Sequence, residues 1–318
     1  MTTRVCRREM IALTGLGLGS AAIANLSPAA VPAEQASRSA REPFGYSLNT
    51  ATIRGQKLPL TEVFDVAAKA GYRAIEPWIE EIQRYVAAGG SLADLKKRAA
   101  DRGLAVIDAI GFADWIGDDD AKRKAGLEQM RREMDLVAQI GGLRIAAPPM
   151  GGYNAPIDLR RVVDRYRKVL AIGRQIGIVP QLEIWGTSKT LSRVSEAAFV
   201  TIEAADPDAC SLLDAFHIYK GGSDFASLRL LNGAALHVLH INDYPAQPPR
   251  ATITDAYRIY PGDGAAPLGL LFRTLAANGF RGYLSLELFN RGYWAENALK
   301  VARTGLEKTR AVVSKALA

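Results

Sequence analysis

From residue 43 onward the chain alternates between short apolar runs and amphipathic stretches, and the alternation repeats eight times. The pattern predicts strands at 44–48, 72–75, 104–110, 143–147, 179–184, 210–213, 235–241 and 282–288. It predicts helices at 60–70, 92–102, 120–140, 156–176, 191–204, 223–231, 267–278 and 294–317. Gly71, Gly103, Gly141, Gly177 and Gly279 follow five of these helices, where a chain leaving a helix turns left-handed. Eight strand–helix units over roughly 275 residues match the count and length of a single (β/α)8 TIM barrel in the α/β class. A doubly wound open sheet would carry a glycine-rich phosphate loop after an early strand, and this chain has none.

The last four apolar runs hold the chemistry. They read Gln-Leu-Glu-Ile-Trp to Trp185, Leu-Leu-Asp-Ala-Phe-His to His217, His-Val-Leu-His-Ile-Asn-Asp to Asp243, and Tyr-Leu-Ser-Leu-Glu-Leu to Leu288. A strand buried on both faces is almost wholly apolar, so an ionisable group inside one needs a reason. Glu183, Asp214, His240 and Glu287 fall on four successive strands, near the C-terminal ends where barrel sites are built. A single such carboxylate usually caps a helix or pairs at the surface, whereas four in succession argue for one shared site.

Three carboxylates and one imidazole suit a hard or borderline cation with six ligands. Mn2+ fits best, and Mg2+, Co2+ or Zn2+ are alternatives. Four protein ligands leave two positions for adjacent oxygens of one substrate. The cation would polarise a carbonyl and stabilise the enediolate formed when the neighbouring proton leaves. Glu183 and Glu287 are the expected acid–base pair, placed to face each other across the substrate.

His217 is expected to grip a substrate oxygen, and Glu76, in Ile-Glu-Pro-Trp, a sugar hydroxyl or a water. Asp243 is read as a substrate contact, with a plain loop cap as the alternative. Trp185 and Trp115 follow predicted strands and are expected to pack on the C–H faces of a sugar; Trp78 and Trp294 are placed similarly. His237, three residues before His240, should point away from the site. Lys189, Arg258 and Arg291 lie in loops on the same side. Gly262-Asp263-Gly264 offers backbone N–H groups to a ligand.

The net charge of +7 is spread over predicted helices with no basic run, which argues against nucleic acid as a partner. Of two cysteines, Cys6 lies in the leader and Cys210 has no partner left, so no internal disulfide is expected. Residues 1–33 carry Arg7-Arg8, a mildly apolar Gly/Ala stretch and then small residues and prolines, the layout of a twin-arginine-type signal peptide. Residues 34–42 read as a linker and 43–318 as the barrel. The expected location is periplasmic or exported. No cysteine follows the apolar stretch and no later run is long enough to span a bilayer, so no stable membrane anchor is expected. Homo-oligomer formation is left open.

At these residues the chain resembles the xylose isomerase-like barrel superfamily, in the branch of sugar and sugar-phosphate isomerases and epimerases. The resemblance covers about 43–315 and rests on Glu183, Asp214 with His217, His240 with Asp243, Gly262-Asp263-Gly264 and Glu287. It implies that Glu183, Asp214, His240 and Glu287 are metal ligands, that Glu183 and Glu287 double as the acid–base pair, and that His217 binds substrate. The ketose 3-epimerases of this superfamily carry an acidic residue where this chain has Lys189 and an arginine where it has Ala246.

The reading is therefore a divalent-metal-dependent sugar isomerase or epimerase acting on a small carbohydrate or keto-sugar. A 3-keto-glycoside lyase or hydratase using the same metal and base is the alternative. A non-catalytic carbohydrate-binding barrel is a third reading. DNA cleavage at abasic sites on this fold uses a histidine-rich cluster, which three histidines do not supply.

Overall fold

The computed structural model describes residues 42–318; the leader and nearly all of the linker lie outside the described residues. Eight strands form one parallel sheet: β1 Gly45–Asn49, β2 Ala74–Glu76, β3 Ala105–Val106, β4 Arg144–Ala147, β5 Val179–Glu183, β6 Ser211–Asp214, β7 Leu236–Ile241 and β8 Tyr283–Leu286. Their order is β3-β2-β1-β8-β7-β6-β5-β4, so chain neighbours are sheet neighbours and β1 pairs with β8. The sheet curls until the Ala146 amide donates to the Ala109 carbonyl at 2.9 Å, which joins its two edges. This is the predicted (β/α)8 architecture.

The helices are α1 Leu60–Ala70, α2 Ile79–Ala87, α3 Leu92–Asp101, α4 Asp120–Gln139, α5 Leu159–Ile176, α6 Val194–Ala204, α7 Ala215–Lys220, α8 Leu268–Ala277, α9 Arg291–Trp294 and α10 Ala298–Leu317. α1 shows how the sequence sets its ends. Pro59 stands at its N-cap, and Gly71 takes φ +102° at its C-cap, where an L side chain would be strained. Leu60, Val63, Phe64 and Ala67 make the face it buries.

Several features depart from expectation: the helix predicted at 223–231 is a 3-10 segment at Phe225–Leu230, and the one predicted at 294–317 is broken between Trp294 and Ala298. The third strand is two residues long rather than seven, because the chain after Val106 leaves the ladder and returns as a single bridge at Ile110. Two short helices, α2 and α7, follow β2 and β6 directly, where loops were expected. α7 starts because the Asp214 carboxylate accepts the His217 amide at 2.9 Å, so the last residue of the strand caps the helix.

Register carries the functional residues to one level. Asn49 lies beside Glu76, Asp214 beside His240, and His240 beside Ser285. The β6–β7 pairing slips once: Ser211 faces Leu236 but Leu213 faces Leu239. The extra residue on β7 is a bulge, and it brings His240 rather than Leu239 opposite Asp214.

Candidate metal centre

Glu183, Asp214, His240 and Glu287 meet at the C-terminal end of the barrel, each at most 5% exposed. His240 organises them. Its Nε2 lies 2.9 Å from Glu76 Oε1, which fixes the ring and turns Nδ1 toward the other three. Nδ1 then stands 3.3 Å from Glu287 Oε2, 3.7 Å from Asp214 Oδ2 and 3.9 Å from Glu183 Oε1. Asp214, His240 and Glu287 offer ligand atoms within 4.8 Å of one another.

The donor set fits a divalent cation. His240 Nδ1 and Glu183 Oε2 are buried without a hydrogen-bond partner, and such atoms are costly unless something occupies them. Arg258 supplies a positive charge at the rim: Nη1 donates to Asp214 Oδ2 at 2.6 Å and to Glu287 Oε2 at 2.8 Å. Several carboxylates around a single guanidinium make the cluster a favourable setting for a cation. Asp255 holds Arg258 in turn, accepting from Nε at 3.0 Å.

The carboxylates differ in electrostatic setting. Burial pushes Glu183 up to about 8, with Glu287 and Asp214 adding repulsion. Burial likewise pushes Glu287 up to about 7, against the pull of His240 and Arg258. Asp214 is equally buried, but Arg258 beside it overrides the burial and holds it near 2. Burial lowers His217 to about 4, so it is a neutral imidazole, with Nε2 3.3 Å from Arg258 Nη2.

Beneath the ligands lies a polar layer that the sequence reading did not assign. Asn49 donates to Glu76 Oε2 at 2.8 Å and to Glu287 Oε1 at 3.1 Å, and Ser285 donates to Glu76 Oε2 at 2.6 Å. Asn242 donates to Asp214 Oδ2 at 3.2 Å. Burial and the neighbouring Glu76 raise the Asp108 carboxyl well above its usual range. Gln181 donates to Asp108 at 2.9 Å. The signal for this layer was present: each is a polar residue inside or at the end of an apolar strand run.

A cavity of about 500 Å³ opens above the cluster. Glu183, Glu287, His217 and Arg258 reach it, and Trp78, Phe112, Tyr153, Trp185, Phe289 and Trp294 supply an aromatic wall. Trp185 stands in this wall, 6.0 Å between ring centroids from Phe112 and from Tyr153.

Three expected substrate contacts are corrected. Glu76 is fully buried beneath the ligands, and its oxygens are taken by His240, Asn49 and Ser285, so no sugar hydroxyl reaches it. Asp243 accepts the amides of Tyr244, Gly262, Gly264 and Ala266 at 2.8–3.0 Å, so it is the anchor of its loop. The Gly262-Asp263-Gly264 turn thus wraps a side chain of its own protein. Trp115 is fully buried, donates to the Pro148 carbonyl at 2.6 Å and packs near Tyr166, away from the cavity. Its indole N–H found a backbone partner inside the protein, which drew the ring inward. The position of Ala246 also misleads, since a guanidinium reaches the cluster from Arg258, twelve residues further along.

Comparison with known proteins agrees with this architecture. The chain belongs to the xylose isomerase-like TIM barrel family, which it matches over residues 64–312. It is 32% identical to the inosose isomerase of Bacillus velezensis over 145 residues, covering 45% of this chain and 51% of that protein. It is 27% identical to the 3-dehydroshikimate dehydratase of Pseudomonas aeruginosa over 280 residues, 83% of this chain and 42% of that protein. The chain thus spans about half the length of these curated relatives. The fructoselysine 3-epimerase of Escherichia coli O157:H7 is 24% identical over 82% of this chain and 96% of its own length. Among solved structures, the IOLI protein with a bound zinc atom superposes with a TM-score of 0.79 at 23% identity, covering 86% of this chain and 99% of the other.

Proposed function

We propose that this chain is a divalent-metal-dependent enzyme that moves a proton beside a carbonyl of a small polyhydroxylated substrate, as a sugar isomerase or epimerase. The observation that carries the reading is the convergence of three carboxylates on His240 Nδ1 at the floor of an aromatic-walled cavity. Glu183, Asp214, His240 and Glu287 would hold the cation, for which Mn2+ is our assignment. When bound, the cation supplies Lewis-acid polarisation of a substrate carbonyl.

The protein's own groups do the rest. Glu183 and Glu287 enter the cavity from β5 and from just beyond β8, two intervening strands apart, so that one takes the proton from carbon and the other returns a proton. Neutral His217 and Arg258 orient substrate oxygens. The aromatic wall packs on sugar C–H faces and excludes water. The named activities of the relatives, inosose isomerase and fructoselysine 3-epimerase, support this class.

The dehydratase relative supports a second reading, in which the same proton removal expels a neighbouring oxygen. One experiment tests both. Mn2+-loaded protein is incubated in D2O with a panel of ketoses, inososes and 3-keto-glycosides and followed by NMR, with EDTA-treated protein as control. Metal-dependent deuterium entry beside the carbonyl, lost in Glu183→Gln, is expected. An isomeric product identifies the first reading, and an eliminated fragment the second. A metal-loaded protein that exchanges no proton with any substrate would overturn both. We further propose, from the leader sequence alone, that the protein is exported; an equal cytoplasmic yield for wild type and an Arg7→Lys, Arg8→Lys variant would overturn that.

A further inference from the structure

A second cavity, of about 900 Å³, opens on the same end of the barrel and plays no part in the chemistry above. Its walls are the 3-10 segment Thr50–Gln56 after β1, the start of α1, the outer face of α2, and α9. It shares walls with the metal-centre cavity at two places. Arg291 and Trp294 line both. Arg54, on the second cavity, lies 3.6 Å over the ring of Trp78, which lines the first.

The junction is built rather than loose. The Trp294 indole N–H donates to the Ala51 carbonyl at 3.0 Å. Its Cβ presses on Gly55 so closely that a Cβ there would lie 2.1 Å away. Leu58, Val63 and Tyr85 give the cavity apolar walls. Four cations, Arg54, Lys57, Arg84 and Arg291, face two carboxylates, Glu80 and Glu81. Glu81 is already engaged, accepting the Trp78 amide at 3.1 Å. Glu80 lies 3.6 Å from Arg54 and 3.7 Å from Arg84. Nη2 of Arg54 lies against Glu80, and its guanidinium against the Trp78 ring. Four cations against two carboxylates favour an anion, while the walls favour an apolar body.

We propose that the substrate has two parts: a sugar-like ring over the metal centre, and an apolar, carboxylate-bearing aglycone seated in this second cavity against Arg54 and Arg291. The assignment rests on the reading above and narrows its substrate class to conjugates. A free monosaccharide would leave the second cavity unused.

Binding tests this apart from catalysis. Isothermal titration of the full chain loaded with Mn2+ compares methyl, phenyl and 4-carboxyphenyl β-D-glucopyranoside. Affinity is expected to rise in that order, with about a tenfold gain for the carboxylate. The double variant Arg54→Gln, Arg291→Gln should erase the carboxylate gain and keep the phenyl gain. Leu58→Trp, checked by circular dichroism for its fold, should erase both. Equal affinity for the three glycosides, no binding of the 4-carboxyphenyl compound, or a carboxylate gain that survives the double variant would each overturn the proposal. None of these outcomes depends on proton exchange, so this inference and the catalytic reading fail separately.

Discussion

Glu76 shows how one side chain can govern a site it never exposes. It is fully buried, and its task is to hold His240 Nε2 so that Nδ1 faces the carboxylates. Burial opposes its charge, but His240 and the hydroxyl of Ser285 keep it ionised. Glu76→Gln keeps the volume and loses the charge; metal affinity is expected to fall 10- to 100-fold. Competition of Mn2+ against a chelating dye reads this, and an unchanged affinity would show that the ring is oriented by packing alone. His237, on the same strand as His240, makes a different prediction. Burial, with Arg144 adding repulsion, lowers its pKa to about 4 from 6.5 in an unfolded chain. A histidine lowered on folding contributes stability that is complete above pH 6.5 and disappears as the pH falls toward 4. Its partial exposure cuts the contribution to about 1–2 kcal/mol. His237→Asn should therefore lose less urea resistance than wild type between pH 7 and pH 4.5. Parallel curves for the two proteins would refute this account of His237.

At the scale of elements, tertiary contact overrules local preference. Gly126 sits inside α4 and Gly269 inside α8, and helix propensity alone favours alanine at both by about 0.5–1 kcal/mol. A Cβ at Gly126 would lie 1.8 Å from the Asp114 carbonyl oxygen, whereas at Gly269 the nearest atom is the mobile end of Arg273 at 3.4 Å. Gly269→Ala is thus expected to stabilise by about 0.5–1 kcal/mol, and Gly126→Ala to destabilise by about 1–3 kcal/mol. Denaturant midpoints that moved the same way would contradict the packing described. The same competition explains which elements were legible in the sequence. β5, β7 and α4 were visible because apolar period and flanking glycines agree over many residues. α7 was not, because six residues capped by a strand's own aspartate carry too little periodicity. Glu183, Asp214, His240 and Glu287 stood out as charges in apolar runs. Glu76 and Asp243 stood out for the same reason, but a buried charge in a sequence does not announce whether it faces a ligand or a neighbour. Arg258 reaches the cluster from a loop whose length no spacing rule foresees.

At the scale of the whole molecule, the metal centre is also where the barrel is tied together. Its four proposed ligands come from or just beyond β5, β6, β7 and β8, and the layer below adds Asn49 from β1 and Glu76 from β2. A cation bound there belongs to the folded state only, since no unfolded chain assembles residues so far apart. At a concentration a hundred times its Kd, such a ligand adds about 2.7 kcal/mol. For a domain of this size that is a rise in Tm of roughly 4–5 °C. Without the cation the same cluster is a burden, because burial and mutual repulsion act on Glu183 while its Oε2 has no hydrogen-bond partner. Glu183→Gln removes that buried ionisable group at nearly constant volume. In EDTA its Tm should equal or exceed that of wild type, and with Mn2+ its rise should be the smaller of the two. This crossing of the two proteins separates a metal site from a structural ion cluster: a carboxylate kept for stability would lower the Tm in EDTA when removed, and equal Mn2+-induced rises would exclude Glu183 as a ligand.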